Sequence, residues 1–378
     1  MSDLQIIPVK TRSEKKRFLN LPWQIYKNDQ YWIPPLRLEQ KELVNYKHHP
    51  FYDRNEVQTF IAVRGKETVG RVAAIVNHDH IERYNDRIGF WGFFESIDDQ
   101  EVATGLFEAA RDWFAREHDI HAMRGPCNPS LNYTLGLLIN GFDSSPFFMM
   151  TYNPAYYEQL VEGYGFKKIQ DLYAYWGDID MLPAVQEKLT PLTERVIKHT
   201  GVTIRSLDTS RFKEELKSFL HVYNQSMTNT WGFVPMTEGE LNKTAAGLKF
   251  LIDPDLALAA EIDGRIVGAA FGLLDYNPRI KKIDGRLFPF GWLRLIWNKK
   301  KITKLRVIST NVLPEYQLMG VGLVLIAGLV PRAVKTSVSE AEFSWVLESN
   351  AFSRGSLEKG GAILNKTYRL YDRRFDKE

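Results

Sequence analysis

The sequence predicts an α/β (α+β) protein made of two copies of one fold in tandem, each with antiparallel hairpins flanked by helices. Three observations carry this. Short apolar, β-branched runs joined by tight turns alternate with longer segments of helical periodicity. The order of these elements in the first half returns in the second. One stretch of the second half, 302–327, runs from a strand through a glycine-bearing turn into a buried helix.

In the first copy, Leu4 to Pro8 reads as a strand and Ser13 to Tyr26 as a helix with Leu19, Leu21 and Ile25 available to its buried face. An aromatic, proline-bearing segment, Tyr31 to Leu36, follows. Residues 57–64 and 69–77 form a hairpin about Gly65-Lys66-Glu67-Thr68. Ile88 to Phe94 is a short aromatic strand. From Asp98 to His118, Val102, Leu106, Ala109, Ala110, Trp113 and Phe114 recur at helical spacing, with Asp98 or Asp99 as N-cap. The Gly-, Pro- and Asn-rich stretch 121–154 is expected to hold a short helix around Tyr133 to Ile139 and then a loop. Such a polar, aromatic loop suits a substrate pocket, or equally an irregular packed connection. Tyr156 to Tyr164 is helical, Gly165 caps it, and Phe166 to Trp176 is a strand or strand pair.

The domain boundaries are placed at 1–180 and 201–378, with a connecting helix in 181–200. The second copy then repeats the plan. Val202 to Arg205 is a strand and Arg211 to Met227 a helix, and Trp231-Gly232-Phe233-Val234-Pro235 echoes the Trp32 to Pro35 segment. Leu256 to Ile262 and Ile266 to Asp275 form a hairpin on Asp263-Gly264, a dipeptide suited to positive φ. Pro34 precedes Gly70 by 36 residues and Pro235 precedes Gly268 by 33. Residues 341–348 make a further strand, about 352–359 a helix and 362–370 the closing strand. The copies differ at 281–301, KKIDGRLFPFGWLRLIWNKKK, where an aromatic run meets a basic end. That insertion is expected to be a helix packed across the domain interface with a solvated lysine run. The alternative is a membrane-surface or acyl-chain-binding element.

Composition sets the class. With 378 residues, 44% of them hydrophobic and 25% charged, the chain is that of an ordinary globular protein with length for two domains. A net charge of +3 does not call for nucleic acid. A single cysteine, Cys127, excludes an intrachain disulfide and a cysteine-rich metal site, and no metal is expected. MSDLQIIPVKTRSEKKRF lacks the apolar core of a signal peptide and no apolar run reaches the length of a membrane span, so a cytoplasmic protein is expected.

The chemistry points to 302–327. Pro314 ends the strand because proline cannot donate to a sheet ladder. Gln317-Leu318-Met319-Gly320-Val321-Gly322-Leu323 then opens a helix. The unpaired N–H groups at a helix start, with the positive end of its dipole, suit a phosphate or pyrophosphate. Glycines at 320 and 322 let a ligand approach the backbone. The lysine of a P-loop and the full dinucleotide fingerprint are both missing.

The stretch 305–327 resembles the acyl-CoA pyrophosphate loop of the GNAT acetyltransferase superfamily, Q/R-x-x-G-x-G/A after a strand, and the resemblance extends through roughly 200–375. It implies two GNAT-like domains, each a mixed, mostly antiparallel twisted sheet with splayed central strands. It further implies that the backbone at Val312 contacts pantetheine, that the amides from Gln317 to Leu323 contact the pyrophosphate, and that Asn350 faces the cofactor, acetyl-CoA or another acyl-CoA. The implied activity is acyl transfer, acetyl first, to a small-molecule or peptide amine by direct attack on the thioester. A long-chain donor on CoA or acyl carrier protein, and a non-catalytic CoA-binding protein, are the rivals. Neither nucleic acid nor an integral membrane is expected as a partner, and a tandem pair within one chain is compatible with a monomer.

The chain departs from the family where L-Y-x-K-x-G-F is usual. Here Ser356-Leu357-Glu358-Lys359-Gly360-Gly361-Ala362 has no tyrosine, so Ser353, Tyr368 and Tyr371 stand in as candidate acids. Glu348, at the end of the second splayed strand, is the candidate base, with a solvated or salt-bridged carboxylate as the alternative. Trp231, Phe233, Asn128 and Asn132 are assigned to the substrate pocket. In the first copy the matching turn reads Glu95 to Glu101 with four carboxylates and no glycine, so residues 1–180 are not expected to bind CoA in the usual way. A bulky residue at Gly320 is expected to abolish CoA binding and leave the fold intact.

Overall fold

The computed structural model describes residues 3–375. The first half contributes β1 (Leu4–Pro8), α1 (Arg12–Ile25), α2 (Arg37–Leu43), β2 (Glu56–Arg64), β3 (Glu67–Val76), α3 (His78–Tyr84), β4 (Ile88–Ser96) and α4 (Gln100–His118). β5 (Ala122–Gly125), β6 (Cys127–Asn128), β7 (Thr134–Leu135), β8 (Leu137–Asn140), α5 (Tyr157–Gly163) and β9 (Lys167–Asp178) follow. Helix α6 (Leu182–Thr200) leads to β10 (Thr203–Ser206), α7 (Phe212–Ser226), α8 (Glu238–Leu248), β11 (Ala257–Ile262) and β12 (Arg265–Leu274). The chain closes with α9 (Asn277–Lys282), α10 (Gly291–Ile296), β13 (Lys304–Val312), α11 (Val321–Val334), β14 (Glu340–Leu347), α12 (Ala351–Lys359) and β15 (Ile363–Arg374).

Local chemistry sets many of these boundaries. Thr11 and Glu14 form a capping box at α1, and Asp99 caps α4 by accepting from the Glu101 N–H. The β11–β12 turn has positive φ at both Asp263 and Gly264, the geometry that the dipeptide predicts. The expected helix at 133–139 is absent. Gly136, at φ +85°, joins β7 and β8 in that stretch, and β8 finds its partner in the distant β15.

The chain forms two compact units that do not coincide with its halves. One holds everything up to Leu172, then Asn277–Trp292, then the chain from Lys366 onward; the other holds Tyr173–Tyr276 and Leu293–Asn365. Strands β9 and β15 thus each give residues to both units. The closing strand of the second copy pairs with β5, from Tyr371↔Gly125 to Arg374↔Ala122, and Arg124 clasps Asp372 through two 2.7 Å hydrogen bonds. Such long-range pairing has no sequence signal, because any apolar strand edge offers the same hydrogen bonds.

In the first unit β1 to β5 follow one another in the sheet. Only the β4–β5 pair is parallel, and it lasts from Ile88↔Ala122 to Phe90↔Arg124. Where these strands part, the chain after β5 lies against β4. A Cβ on Gly92 would stand 1.8 Å from the Cys127 carbonyl oxygen, and the Asn128 Oδ1 accepts from the Phe93 N–H at 2.6 Å. Protein therefore occupies the gap between the strands. Glu95 also lies away from the proposed phosphate turn. It is buried in β4 and accepts from Tyr26 (2.9 Å), Tyr157 (2.8 Å) and Arg71 (3.4 Å), and burial raises its pKa against the pull of Arg71. Asp99 caps α4 and pairs with Arg64 at 2.9 Å, so a carboxylate already sits at the positive end of that helix.

Cys127 is fully buried, and burial pushes its thiol up to about 12. The native protein should therefore resist alkylation by iodoacetamide at pH 8 and react fully once unfolded in guanidinium. Rapid labelling of the native chain would show that the 126–135 segment leaves β4.

Candidate active site

In the second unit the parallel pair β13–β14 spans only Lys304↔Glu340 to Val307↔Phe343. β13 continues to Val312 and β14 to Leu347 without further pairing to each other, so the two strands splay as the resemblance implies. A bulge in β13 opposite Phe271/Gly272 accompanies the parting, and bulges bend the strand that carries them. Gly268↔Val312 is a non-hydrogen-bonded antiparallel pair, because the next N–H, Leu313, donates to the Val267 carbonyl at 2.9 Å. The N–H and C=O of Val312 therefore point away from β12 and toward the parted edge. The side chain of Gln317 caps that carbonyl from Nε2 at 3.1 Å. This arrangement is an open strand edge beside a helix start.

The helix start is built as the sequence pattern requires. Pro314–Met319 is a 3₁₀ turn, Gly320 takes φ +81°, and α11 begins at Val321. Gly320 accepts from the Leu323 and Val324 N–H groups, and the first helical amides, Val321 and Gly322, have no acceptor within the helix. The carboxylate of Glu315 is turned to Arg265 at 3.2 Å. Leu318 is 98% exposed, so the loop is reachable from solvent. A Cβ on Gly322 would meet only the Val312 and Thr310 side chains at 3.7 and 3.8 Å. Gly322 thus faces β13, and a Cβ there would make ordinary van der Waals contact without displacing anything. Gly320 differs: its Cβ would fall 2.7 Å from Val196 Cγ2 of α6. A bulky residue there strains the backbone and displaces α6, which corrects the expectation of an intact fold. The unpaired amides at Val321 and Gly322 and the outward Val312 N–H fit a pyrophosphate and the extended amide arm that follows it.

The remaining predicted residues are scattered. Glu348 follows β14 directly, and its backbone carbonyl is held by Arg354 Nη1 at 2.9 Å. Asn350 is exposed, and its Oδ1 caps α12 by accepting from the Ser353 N–H at 3.0 Å. Asparagine favours that local role, and it commits the oxygen expected to face the cofactor. Tyr368 and Tyr371 are fully buried on the part of β15 that belongs to the first unit, where Tyr368 pairs with Leu138 and Tyr371 with Gly125. They are core aromatics of that sheet. Asn128 and Asn132 also lie in the first unit, and Asn128 bridges Phe93 and Thr134.

Phe233 is buried against Tyr223, and Trp231 is half-buried in a loop that Asn224 closes by two 3.0 Å bonds to the Met236 backbone. That loop begins at Ser226, which accepts from Asn311 (2.8 Å) and Gln317 (3.3 Å). The end of α7 is thereby tied to both β13 and the pyrophosphate turn.

Sequence reading missed a buried polar group where the strands part. Arg306 Nε donates to Ser344 Oγ at 2.9 Å, and Ser344 Oγ donates to Glu342 Oε1 at 2.7 Å. All three are buried on the last paired residues of β13 and β14 or just beyond. The available signal was charged and polar residues at every second position of a strand, Glu340, Glu342 and Ser344. Tyr175, on β9, was also missed; its hydroxyl donates to Glu358 at 2.7 Å, beside the helix position that lacks the family's tyrosine.

Replacing Gly322 by Asp gives the cleaner test of the loop. At the second helical position an aspartate stabilises α11 by about 0.3–1 kcal/mol while repelling a pyrophosphate. The expected outcome is an unchanged or slightly raised melting temperature with loss of the CoA-induced shift. Calorimetric titration of the wild type should give one CoA site per chain, because the first unit's gap is filled and its helix start carries Asp99. Two equivalent sites would refute this.

No protein-family model matches the sequence. The chain is 35% identical over 382 residues to the bacterial ceramide synthase of Caulobacter vibrioides, covering 98% of each. It is 34% identical over 371 residues to protein YghO of Escherichia coli, covering 96% of this chain and 93% of that one. Among solved structures, a tandem GNAT protein from the clavulanic acid biosynthesis pathway superposes with a TM-score of 0.58 over 99% of both chains, at 9% identity, a likeness of fold alone. The likeness in sequence shows that the chain belongs to the family that includes the Caulobacter ceramide synthase, and the likeness in structure shows that it has the fold of tandem GNAT proteins.

Proposed function

We propose that this protein is an N-acyltransferase that moves a long-chain acyl group from an acyl-CoA thioester to the amine of a long-chain amino alcohol. The observation that carries the reading is 35% identity along 98% of the bacterial ceramide synthase, since a ceramide is the amide of such an amino alcohol with a fatty acid. It supports a long-chain donor over the acetyl donor that the superfamily resemblance suggests.

The parted β13–β14 edge supplies what the reaction needs from the protein. A pyrophosphate at Val321 and Gly322 places the extended arm along β13, where the strand-edge N–H groups hold the thioester carbonyl. The amine nitrogen attacks the carbonyl carbon, a C–N bond forms and the C–S bond breaks. The departing thiolate takes up a proton as the amine loses one. Glu348, immediately after β14, is the proposed acceptor of the amine proton.

A donor series from acetyl- to palmitoyl-CoA, with a C18 amino alcohol and mass-spectrometric detection of the amide, tests the reading. Each buried methylene contributes roughly 0.8 kcal/mol, so palmitoyl-CoA should exceed acetyl-CoA in kcat/KM by tenfold or more. A preference for acetyl-CoA, or tight binding with no amide from any donor, overturns it. Glu348→Gln should lower kcat by about 10²–10⁴-fold and keep the CoA-induced thermal shift. An unchanged kcat would remove Glu348 from the mechanism.

A further inference from the structure

The segment that distinguishes the second copy from the first does not pack away its aromatic residues. Phe288, Phe290 and Trp297 are 74, 70 and 76% exposed, and Trp292 is 45% exposed. The run is nevertheless ordered along its length. Its N-terminal flank is fixed by Arg37, which forms a 2.7 Å ion pair with Asp284 and lies over the Trp23 ring at 3.8 Å. The Trp292 N–H donates to the Leu287 carbonyl, the Trp297 N–H donates to Leu293, and Leu295 and Ile302 are buried. The exposed rings therefore project from a short, anchored helix, α10, and its flanks. Within 286–302, Leu295 and Ile302 are the buried side chains, and the four large aromatics stay exposed.

Charge says what the rings face. Between Gly285 and Leu305 there are six Lys or Arg residues and no Asp or Glu. Arg294, Lys300 and Lys301 are exposed, and Lys299 reaches back to the Ile252 carbonyl at 3.1 Å. A second soluble protein or a further copy of this chain would favour a mixed charge pattern at such a face. Arg286 pairs with Asp284 at 3.5 Å and Lys304 with Glu340 at 2.9 Å, which leaves the exposed Arg294, Lys300 and Lys301 beside the rings of Phe and Trp. That combination matches the interface of an anionic bilayer, where indoles sit at headgroup depth and lysines meet phosphates. Among the described residues no helix is long and apolar enough to cross a membrane, so the segment would lie on the surface.

We propose that residues 286–301 form a docking element for an anionic phospholipid surface. This goes beyond acyl transfer and does not depend on it, although it would bring a protein acting on long-chain lipids to the layer that holds them. The test is flotation of the full chain with phosphatidylcholine vesicles containing 0 or 30% phosphatidylglycerol, at low and high salt. Binding to the anionic vesicles, weakened by salt, is expected. Each basic residue near the surface is worth about fivefold in partitioning, so Lys300→Ser/Lys301→Ser should weaken it by about twenty-five-fold. Phe288→Ser/Phe290→Ser/Trp297→Ser should weaken it by tenfold or more. Both variants should keep the wild-type melting temperature and CoA-induced shift, which separates loss of docking from loss of the fold or of the CoA site. Absence of vesicle binding, or binding that neither variant weakens, overturns the proposal. So does conversion of a wild-type dimer to monomer by the aromatic variant, which would make the face a contact between copies.

Discussion

The early end of the β13–β14 pairing is the constraint on which the rest of the second unit depends. A parallel pair that stopped at the ends of its strands would spend the N–H and C=O groups of Val312 on a neighbour. Stopping at Val307↔Phe343 leaves the Val312 N–H on the outer edge of β13, while its C=O accepts from Gln317 Nε2 at 3.1 Å. The bulge in β13 bends the strand away, and the buried group Arg306, Ser344 and Glu342 stands at the fork. Removing Arg306 or Glu342 would leave the opposite charge without its counterpart in the interior, at a cost of about 3–5 kcal/mol. The same group that holds the two strands together thus sits where they begin to separate.

The two copies of the fold differ at the corresponding place. Both units contain a short parallel pair, Lys304↔Glu340 to Val307↔Phe343 in the second and Ile88↔Ala122 to Phe90↔Arg124 in the first. In the first, the Cys127 carbonyl and the Asn128 side chain lie on β4, and Asp99 occupies the helix start. The expectation that this copy does not bind CoA in the usual way rests on different features in the structure than in the sequence. Repulsion by four carboxylates was the sequence argument; steric filling of the gap and an acid at the helix start are the structural ones. Glu95, the first of those carboxylates, is instead a buried anchor for Tyr26, Tyr157 and Arg71.

Helix α6, read from sequence as a simple connector, takes on a structural task. Val196 stands against Gly320, so the glycine that appeared to serve only a ligand also serves helix packing. Gly322, two residues on, would accept a Cβ at ordinary contact distance. Two residues of one motif therefore answer to different physical demands, and a substitution series that treats them as equivalent would confuse a folding defect with a binding defect.

By itself the sequence determined the elements whose causes are local. Strand β1, the capped helix α4, the Asp263-Gly264 hairpin and the strand–glycine–helix passage at 304–334 were all legible, because capping, positive φ and apolar periodicity act within a few residues. It also determined the duplication, through repeated order. Tertiary structure alone decided what depends on pairing across long distances. It sends β15 to β5, which takes Tyr368 and Tyr371 into the first unit's core, and it commits Asn350 to a cap. It also turns the aromatic face of 288–297 outward, because a periodic apolar run states that a face exists but not whether the folded chain supplies anything to cover it.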